Sequence, residues 1–321
     1  MIIENILAKH PARTFKRKRN SIATPGPVVG WVGGKRQLMS RYMEVFPSRV
    51  VNYFEPFAGG ASVFFELKKR RVIEGKSYLS DLNSELIMTY STIVKEPTKV
   101  AELLNKINEK HSKQLFYEVR NVDRVEISKR KYEKKADLKD ILTDVEIAAR
   151  FLYLNKTCFN ALYRVNSQNL FNVPVGTSLK KDFSDKGLLL SSAKVLKTAK
   201  IENLSYEKNL HLAQKGDFVY FDPPYEPTES TNSTGEVVIS GKNFTSYTSV
   251  GFDTKEQIKL KECCDNLNER GIQFAVSNSN APIISEIYKN YNIREFEANR
   301  NLNRNAAARK NSATELLISN F

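Results

Sequence analysis

The tetrapeptide Asp222-Pro223-Pro224-Tyr225 combines a carboxylate, two residues without a backbone N–H, and a phenol. The two prolines fix φ and remove two donors, so the chain is stiff there and a carbonyl is held in one direction. A carboxylate and a carbonyl side by side can accept the two N–H bonds of one amino group. That pair suits an exocyclic amine on a nucleobase, a poor nucleophile because its lone pair is delocalised into the ring. An adjacent aromatic ring can stack on a base turned out of its helix. A loop that merely contains Pro-Pro is the alternative. The context favours chemistry: Asp217-Phe218-Val219-Tyr220-Phe221 reads as a strand that runs straight into Asp222. Open α/β sheets place their ligands at that end of a strand.

A second cluster is Phe57-Ala58-Gly59-Gly60-Ala61. Small residues after a first strand let the backbone approach a ligand closely. The carboxylate of Asp81, at the end of the next expected strand, stands about where a ribose-binding acid belongs. The turn lacks the full G-x-G-x-x-G pattern. This disfavours a nicotinamide cofactor and favours one with a nucleoside but no pyrophosphate. A third cluster is Gly30-Trp31-Val32-Gly33-Gly34-Lys35, which holds the only tryptophan. A lone tryptophan is by default a core residue. The glycines offer it a second place, beside a cofactor whose carboxylate Lys35 would face.

These residues need a sheet to present them. Val50 to Phe54 reads as a strand, Val63 to Arg70 as a helix and Lys76 to Leu79 as a second strand. Strand, glycine turn, helix, strand and acid open a doubly wound α/β fold. The pattern then breaks. Glu85 to Val94, Thr98 to Lys110 and Asp144 to Asn155 are helical in spacing, and Arg124 to Lys139 is rich in charge. It resumes with a strand at Lys200 to Leu204, the strand before Asp222, and a helix from Thr254 to Arg270 stopped by Gly271. Gln273 to Ser277 reads as a strand, Pro282 to Tyr291 as a helix and Glu315 to Ser319 as a closing strand. The polar stretch Thr228 to Ser249 reads as a long loop beside the tetrapeptide. Residues 1–27 read as a basic arm, with Arg13, Lys16, Arg17, Lys18 and Arg19 before Pro25-Gly26-Pro27. The expected organisation is a catalytic domain of residues 28–83 and 200–321, interrupted by an inserted, mostly helical domain of residues 84–199.

The formal net charge of +14 points to a polyanionic partner. No uninterrupted apolar run is long enough to span a bilayer, so nucleic acid leads over membrane. Three cysteines, two of them adjacent, form no disulfide framework and suit a reducing cytoplasm. Three histidines without clustered Cys/His spacing argue against a zinc site, and no metal is expected.

The clusters Trp31-Val32-Gly33-Gly34-Lys35, Glu55-Pro56-Phe57-Ala58-Gly59-Gly60, Ser80-Asp81-Leu82-Asn83 and Asp222-Pro223-Pro224-Tyr225 occur in that order. Together they resemble the Dam family of DNA adenine-N6 methyltransferases, the D12 or alpha group. The resemblance runs from about residue 29 to the C-terminus. Phe151 to Arg164 and Phe171 to Gly176 resemble the family's recognition hairpin, and Asn243-Phe244-Thr245-Ser246-Tyr247 its loop after the tetrapeptide.

The resemblance implies a Rossmann-like methyltransferase sheet with an inserted DNA-recognition domain. It implies S-adenosylmethionine as methyl donor, S-adenosylhomocysteine as product, and duplex DNA as substrate, with the target adenine flipped out. Trp31, Lys35, Phe57, Gly59, Asp81 and Asp222 would line the cofactor pocket. Asp222 and the Pro223 carbonyl would bond the target amine, Pro224 would keep the turn rigid, and Tyr225 would stack on the flipped base. Members that read GATC use an Asn, a Leu, an Arg and a Pro, which fall here on Asn160, Leu162, Arg164 and Pro174. Phe159 matches an aromatic that fills the gap left by flipping. A core position for Leu162 and a capping role for Asn160 are the structural alternatives. The chain departs from the pattern at Tyr163, Val165 and Thr177. Asp rather than Ser at the head of the tetrapeptide favours adenine over cytosine-N4, and the hairpin favours duplex DNA over RNA. A DNA-binding module that has lost catalysis is the rival from another class. The motifs would work in a monomer, and service beside a cognate restriction endonuclease and action alone both stay open.

Overall fold

Phe218–Phe221, the strand before the tetrapeptide, is buried along its whole length, as an interior parallel strand requires. The computed structural model describes residues 2–14, 23–31, 33–126, 133–135, 137–177, 182–231, 237–240, 252–299 and 312–321. They form two units, residues 35–82 with 204–321 and residues 1–34 with 83–203.

The first of these units carries the sheet. Its strands are β1 (Tyr53–Glu55), β2 (Ser77–Ser80), β3 (Phe218–Phe221), β4 (Gln273–Ser279), β5 (Asn292–Asn299) and β6 (Ser312–Ser319). They lie in the order β5-β6-β4-β3-β1-β2. β2, β1, β3 and β4 are parallel neighbours. β6 runs antiparallel to both β4 and β5. This is the Rossmann-like methyltransferase sheet, with a reversed strand near one edge. Phe54, Val219, Phe221, Phe274, Val276, Leu316 and Ile318 pack there with Leu260, Cys264 and Leu267 of the helix Thr254–Glu269. Asp253 starts that helix by accepting the amides of Lys255 and Glu256, and Gly271, with φ of 67°, lets the chain turn back after it.

The other unit is mostly helical: Ser84–Lys95, Pro97–Lys110, Lys113–Arg120, Asp144–Thr157 and Lys186–Leu196. Side chains of Asn83, Ser112 and Asp185 cap three of these helices, and Thr143 with Glu146 forms a capping box on the fourth. Arg150, almost wholly buried, ties them together. It lies 2.9 Å from Asp123 and 3.3 Å from Glu85, and donates to the carbonyls of Val119 and Arg120.

Several expectations change. The start of the expected arm is a helix, Ile2–Ala8, because Ile3 and Leu7 find a buried place; Arg13 is then held by the side chain and carbonyl of Asn108. Lys16 to Arg19 lie outside the described residues. The segment around Trp31, assigned above to the catalytic domain, groups with the helical unit. Within the expected loop Thr228 to Ser249, Thr228–Thr231 and Val237–Ser240 pair as antiparallel strands. Residues 243–247 lie outside the described part. The helix from Pro282 ends at Ile287, and an additional strand, β5, carries Arg294, Glu295 and Glu297. Asp144–Thr157 extends through the first half of the expected hairpin. Among the described residues, no helix is long and apolar enough to cross a membrane.

Arg150→Ala would leave the fully buried Asp123 carboxylate without its cation. Denaturant unfolding should show a loss of about 3–5 kcal/mol.

Candidate active site

β1 and β3 pair in parallel, Tyr53 opposite Phe218 and Phe54 opposite Val219. The glycine turn and the tetrapeptide therefore leave the sheet from the same edge, on neighbouring strands. β2 lies on the other side of β1, so the chain's crossovers diverge at this point, which is where such sheets bind ligands.

The turn after β1 is tight. Gly59 has φ of 44° and Ala61 φ of 51°, and Ala58 donates to the Ser80 carbonyl at 3.0 Å. The Gly59 amide donates to Asp81 Oδ2 at 3.0 Å, so the acid after β2 is aimed back at the turn. Glu55 sits beneath it. Its carboxylate accepts from the Phe64 amide at 3.0 Å and the Tyr53 hydroxyl at 2.9 Å. Burial pushes its pKa up to about 8, against those two hydrogen bonds. Phe57 stacks on Tyr206 at 5.2 Å and meets Phe252 edge-on at 5.6 Å.

The tetrapeptide is held by amides that the sequence did not flag. Gln257 Nε2 donates to the Pro224 carbonyl at 3.0 Å. Asn278 Nδ2 donates to Gln257 Oε1 at 2.9 Å, and Asn278 Oδ1 accepts from the amides of Glu226 and Ser279. Ser279 Oγ donates to the Glu226 carbonyl at 2.6 Å. Gln257 and Asn278 have no exposed surface. A glutamine on the buried face of an otherwise apolar helix stripe was the available signal.

Asp222 carries the charge of the site. Lys35 Nζ lies 2.7 Å from Asp222 Oδ1 and 3.7 Å from Glu315 Oε1, and stands 5.0 Å from the Tyr225 ring centroid. Burial raises the Asp222 pKa to about 6; Lys35 works against this and Glu315 adds to it. For Lys35, burial pulls downward, but Asp222 and Glu315 outweigh it and the pKa rises. Lys35 thus lies against two protein carboxylates.

The remaining predicted residues lie in the helical unit. Trp31 stacks on Tyr163, centroids 5.6 Å apart and planes 17° apart. It is half-buried, neither a closed core residue nor an exposed ring. Asn155 fixes its neighbour by a reciprocal pair, Gly30 N to Oδ1 and Nδ2 to Gly30 O, both 2.7 Å. Residues 158–176 form a hairpin closed by Cys158 opposite Val175 and Val165 opposite Phe171. Phe159 donates its amide to the Pro174 carbonyl at 2.9 Å. Asn160, with φ of 57°, and Pro174 are exposed; Leu162 and Arg164 are half-buried. Asn172 Oδ1 accepts from Arg164 Nε at 2.9 Å. Tyr163 and Val165, the departures noted above, are buried and pack the hairpin, and Thr177 is exposed. Gly176 has its place because a Cβ there would come within 3.0 Å of the Cys158 carbonyl.

The model of the D12 class N6 adenine-specific DNA methyltransferases matches residues 31–302. The chain belongs to that family. It is therefore an enzyme that methylates adenine in DNA. Type II methyltransferase M1.LlaDCHI of Lactococcus lactis subsp. cremoris is 36% identical over 297 residues, 92% of this chain and 95% of that protein. Type II methyltransferase M.MjaIII of Methanocaldococcus jannaschii is 32% identical over 308 residues, 92% of this chain and 99% of the relative. A DNA adenine methylase of Vibrio cholerae is 31% identical over 288 residues, 89% and 93% of the two chains.

In this family member, Asn278→Ala would release both the Gln257 amide and the loop that follows Tyr225. Lost buried hydrogen bonds of about 1–3 kcal/mol should lower kcat/KM roughly 5- to 150-fold. Steady-state methylation by the purified variant checks this.

Proposed function

We propose that the chain transfers the methyl group of S-adenosylmethionine to N6 of an adenine flipped out of duplex DNA, with Asp222 as acceptor for the amine. The observation that carries the reading is the neighbourhood of Asp222: a half-buried carboxylate at the end of β3, beside Tyr225 and next to the glycine turn after β1. The residues fit the methyl donor. Asp81 offers a carboxylate to a ribose, the Gly59 turn allows close approach of a nucleoside, and the half-buried Phe57 ring gives it an apolar face. Bound there, S-adenosylmethionine supplies an electrophilic methyl group on a sulfonium.

The protein's part is positioning and electrostatics. Extruding a base costs a few kcal/mol in stacking and pairing, and Tyr225 offsets some of it by stacking. Asp222 and the Pro223 carbonyl accept the two N6 hydrogens, which draws electron density onto the nitrogen and turns its lone pair out of the ring. Gln257 occupies the Pro224 carbonyl, so the turn cannot rotate freely. After transfer, Asp222 is the nearest base for the surplus proton.

On the helical unit we assign the reading of sequence to the 158–176 hairpin, with Phe159, Asn160, Leu162, Arg164 and Pro174 as its contacts and GATC or a related sequence as its site. Asn172 steadies the Arg164 fork, whose geometry matches guanine O6 and N7. The excess of positive charge supports DNA phosphates as the wider contact surface. The type II names of the Lactococcus and Methanocaldococcus relatives favour service beside a restriction endonuclease. We place the enzyme in the cytoplasm and read it as a monomer.

Labelled S-adenosylmethionine with a GATC duplex and a scrambled control, followed by nucleoside analysis, tests the reading. N6-methyladenine in the GATC duplex alone is the expected result; product in both would discard the GATC reading, and product in neither would point to another recognition sequence. Asp222→Ala should abolish turnover while cofactor and DNA still bind. Arg164→Ala should relax discrimination at one guanine by about 1–3 kcal/mol, whereas an equal loss on all DNA would make it a phosphate contact. A protonated Asp222 cannot accept an amine. Turnover should therefore be full above its pKa of about 6 and fall as pH drops through that value, which a pH–rate profile reads.

A further inference from the structure

One buried ammonium serves two carboxylates in this unit. Lys35 is 1% exposed, 2.7 Å from Asp222 and 3.7 Å from Glu315. The two acids are held differently. Asp222 leads a turn, whereas Glu315 lies inside β6, opposite Ser279 of β4 and Phe296 of β5. Its side chain is aimed by Tyr42, whose hydroxyl donates to Glu315 Oε1 and lies 3.3 Å from Ser277 Oγ. Ser277 Oγ is in turn 2.5 Å from the Tyr220 hydroxyl. Glu315 is a fixed point on the sheet.

We propose that Glu315 is a positioning residue for methyl transfer: it shares the Lys35 ammonium, so that Asp222 can turn its electron density to the adenine amine without stranding a buried cation. The inference rests on the reading of Asp222 as the amine acceptor. A lysine paired with Asp222 alone would neutralise the carboxylate that must polarise N6. A lysine with no partner at all would be a buried, uncompensated charge. Sharing avoids both.

The titratable groups acting on Asp222 are Lys35, Glu315, Tyr225, Tyr42, Tyr220, Tyr53 and Glu55. Burial holds the four phenols neutral, and burial raises Glu55 to about 8. Lys35, between Asp222 and Glu315, is the contact through which the two acids act on each other. Removing the Glu315 charge therefore has two effects. Asp222 ionises more easily, because one repelling charge is gone and that acid no longer shares the Lys35 ammonium. The same shift makes Asp222 a poorer acceptor for the amine.

The test is Glu315→Gln, which keeps volume and an oxygen for Tyr42, measured by single-turnover methylation of duplex DNA across pH. The rate above the acid limb should fall about 10- to 100-fold, as for other small misplacements near a reacting group. The acid limb should move to lower pH by about half a unit or more. The dissociation constant for S-adenosylmethionine and the melting temperature should stay near those of the unmodified enzyme. Glu315→Asp, which keeps the charge, should return the limb to its original place and restore part of the rate. A Glu315→Gln enzyme with unchanged rate overturns the proposal. So does a slower one whose limb is unmoved or shifted upward, since general loosening would give that. Asp222→Ala separates the two levels: if it is inactive while Glu315→Gln is normal, only the role of Glu315 fails. If Asp222→Ala turns over, the acceptor reading fails and this inference with it.

Discussion

Two parallel neighbours in a sheet must release the chain at the same edge, and β1 and β3 are such neighbours. That pairing joins a glycine turn at residue 57 to a carboxylate at residue 222. Everything else in the sheet-bearing unit serves it. β2 brings Asp81 to the turn, β4 brings Asn278 to the tetrapeptide, and the helix Thr254–Glu269 brings Gln257 to the Pro224 carbonyl. β6, reversed between β4 and β5, brings Glu315 to Lys35.

Buried polarity is the cost of this arrangement, and it is met locally. Glu55 has the Phe64 amide and the Tyr53 hydroxyl; Asn278 and Gln257 satisfy one another and the loop. Lys35 has two acids. Such networks are rigid when complete. A rigid acceptor suits a reaction in which the protein lends geometry and charge. The helical unit follows the same logic around Arg150 and Asn155, which carry hydrogen bonds from the middle and from the last turn of one helix.

The chemistry-bearing turns were legible because their residue types are constrained where they stand. Proline pairs after a strand, and glycines before a helix, have few other uses. Strand and helix types followed from periodicity, with ends shifted by a few residues. β5 escaped because Arg294, Glu295 and Glu297 leave it without an apolar face of ordinary length. The Ile2–Ala8 helix escaped because the basic run after it dominated the reading. Glu315 read only as the start of a strand, since a single acid in an apolar segment does not disclose its partner.

By itself, the sequence determined the Asp222–Tyr225 tetrapeptide at the end of a strand, the glycine turn after a first strand, the α/β class and the interruption by helices. Each is written in adjacent residues, where local geometry and residue type are coupled. Only the tertiary structure decided that Lys35 lies between Asp222 and Glu315, that Gln257 and Asn278 hold the tetrapeptide, and that Trp31 stacks on Tyr163. Those contacts join residues far apart in the chain. Burial in a low-dielectric interior forces each polar group to find a partner, but strand order and register choose which one.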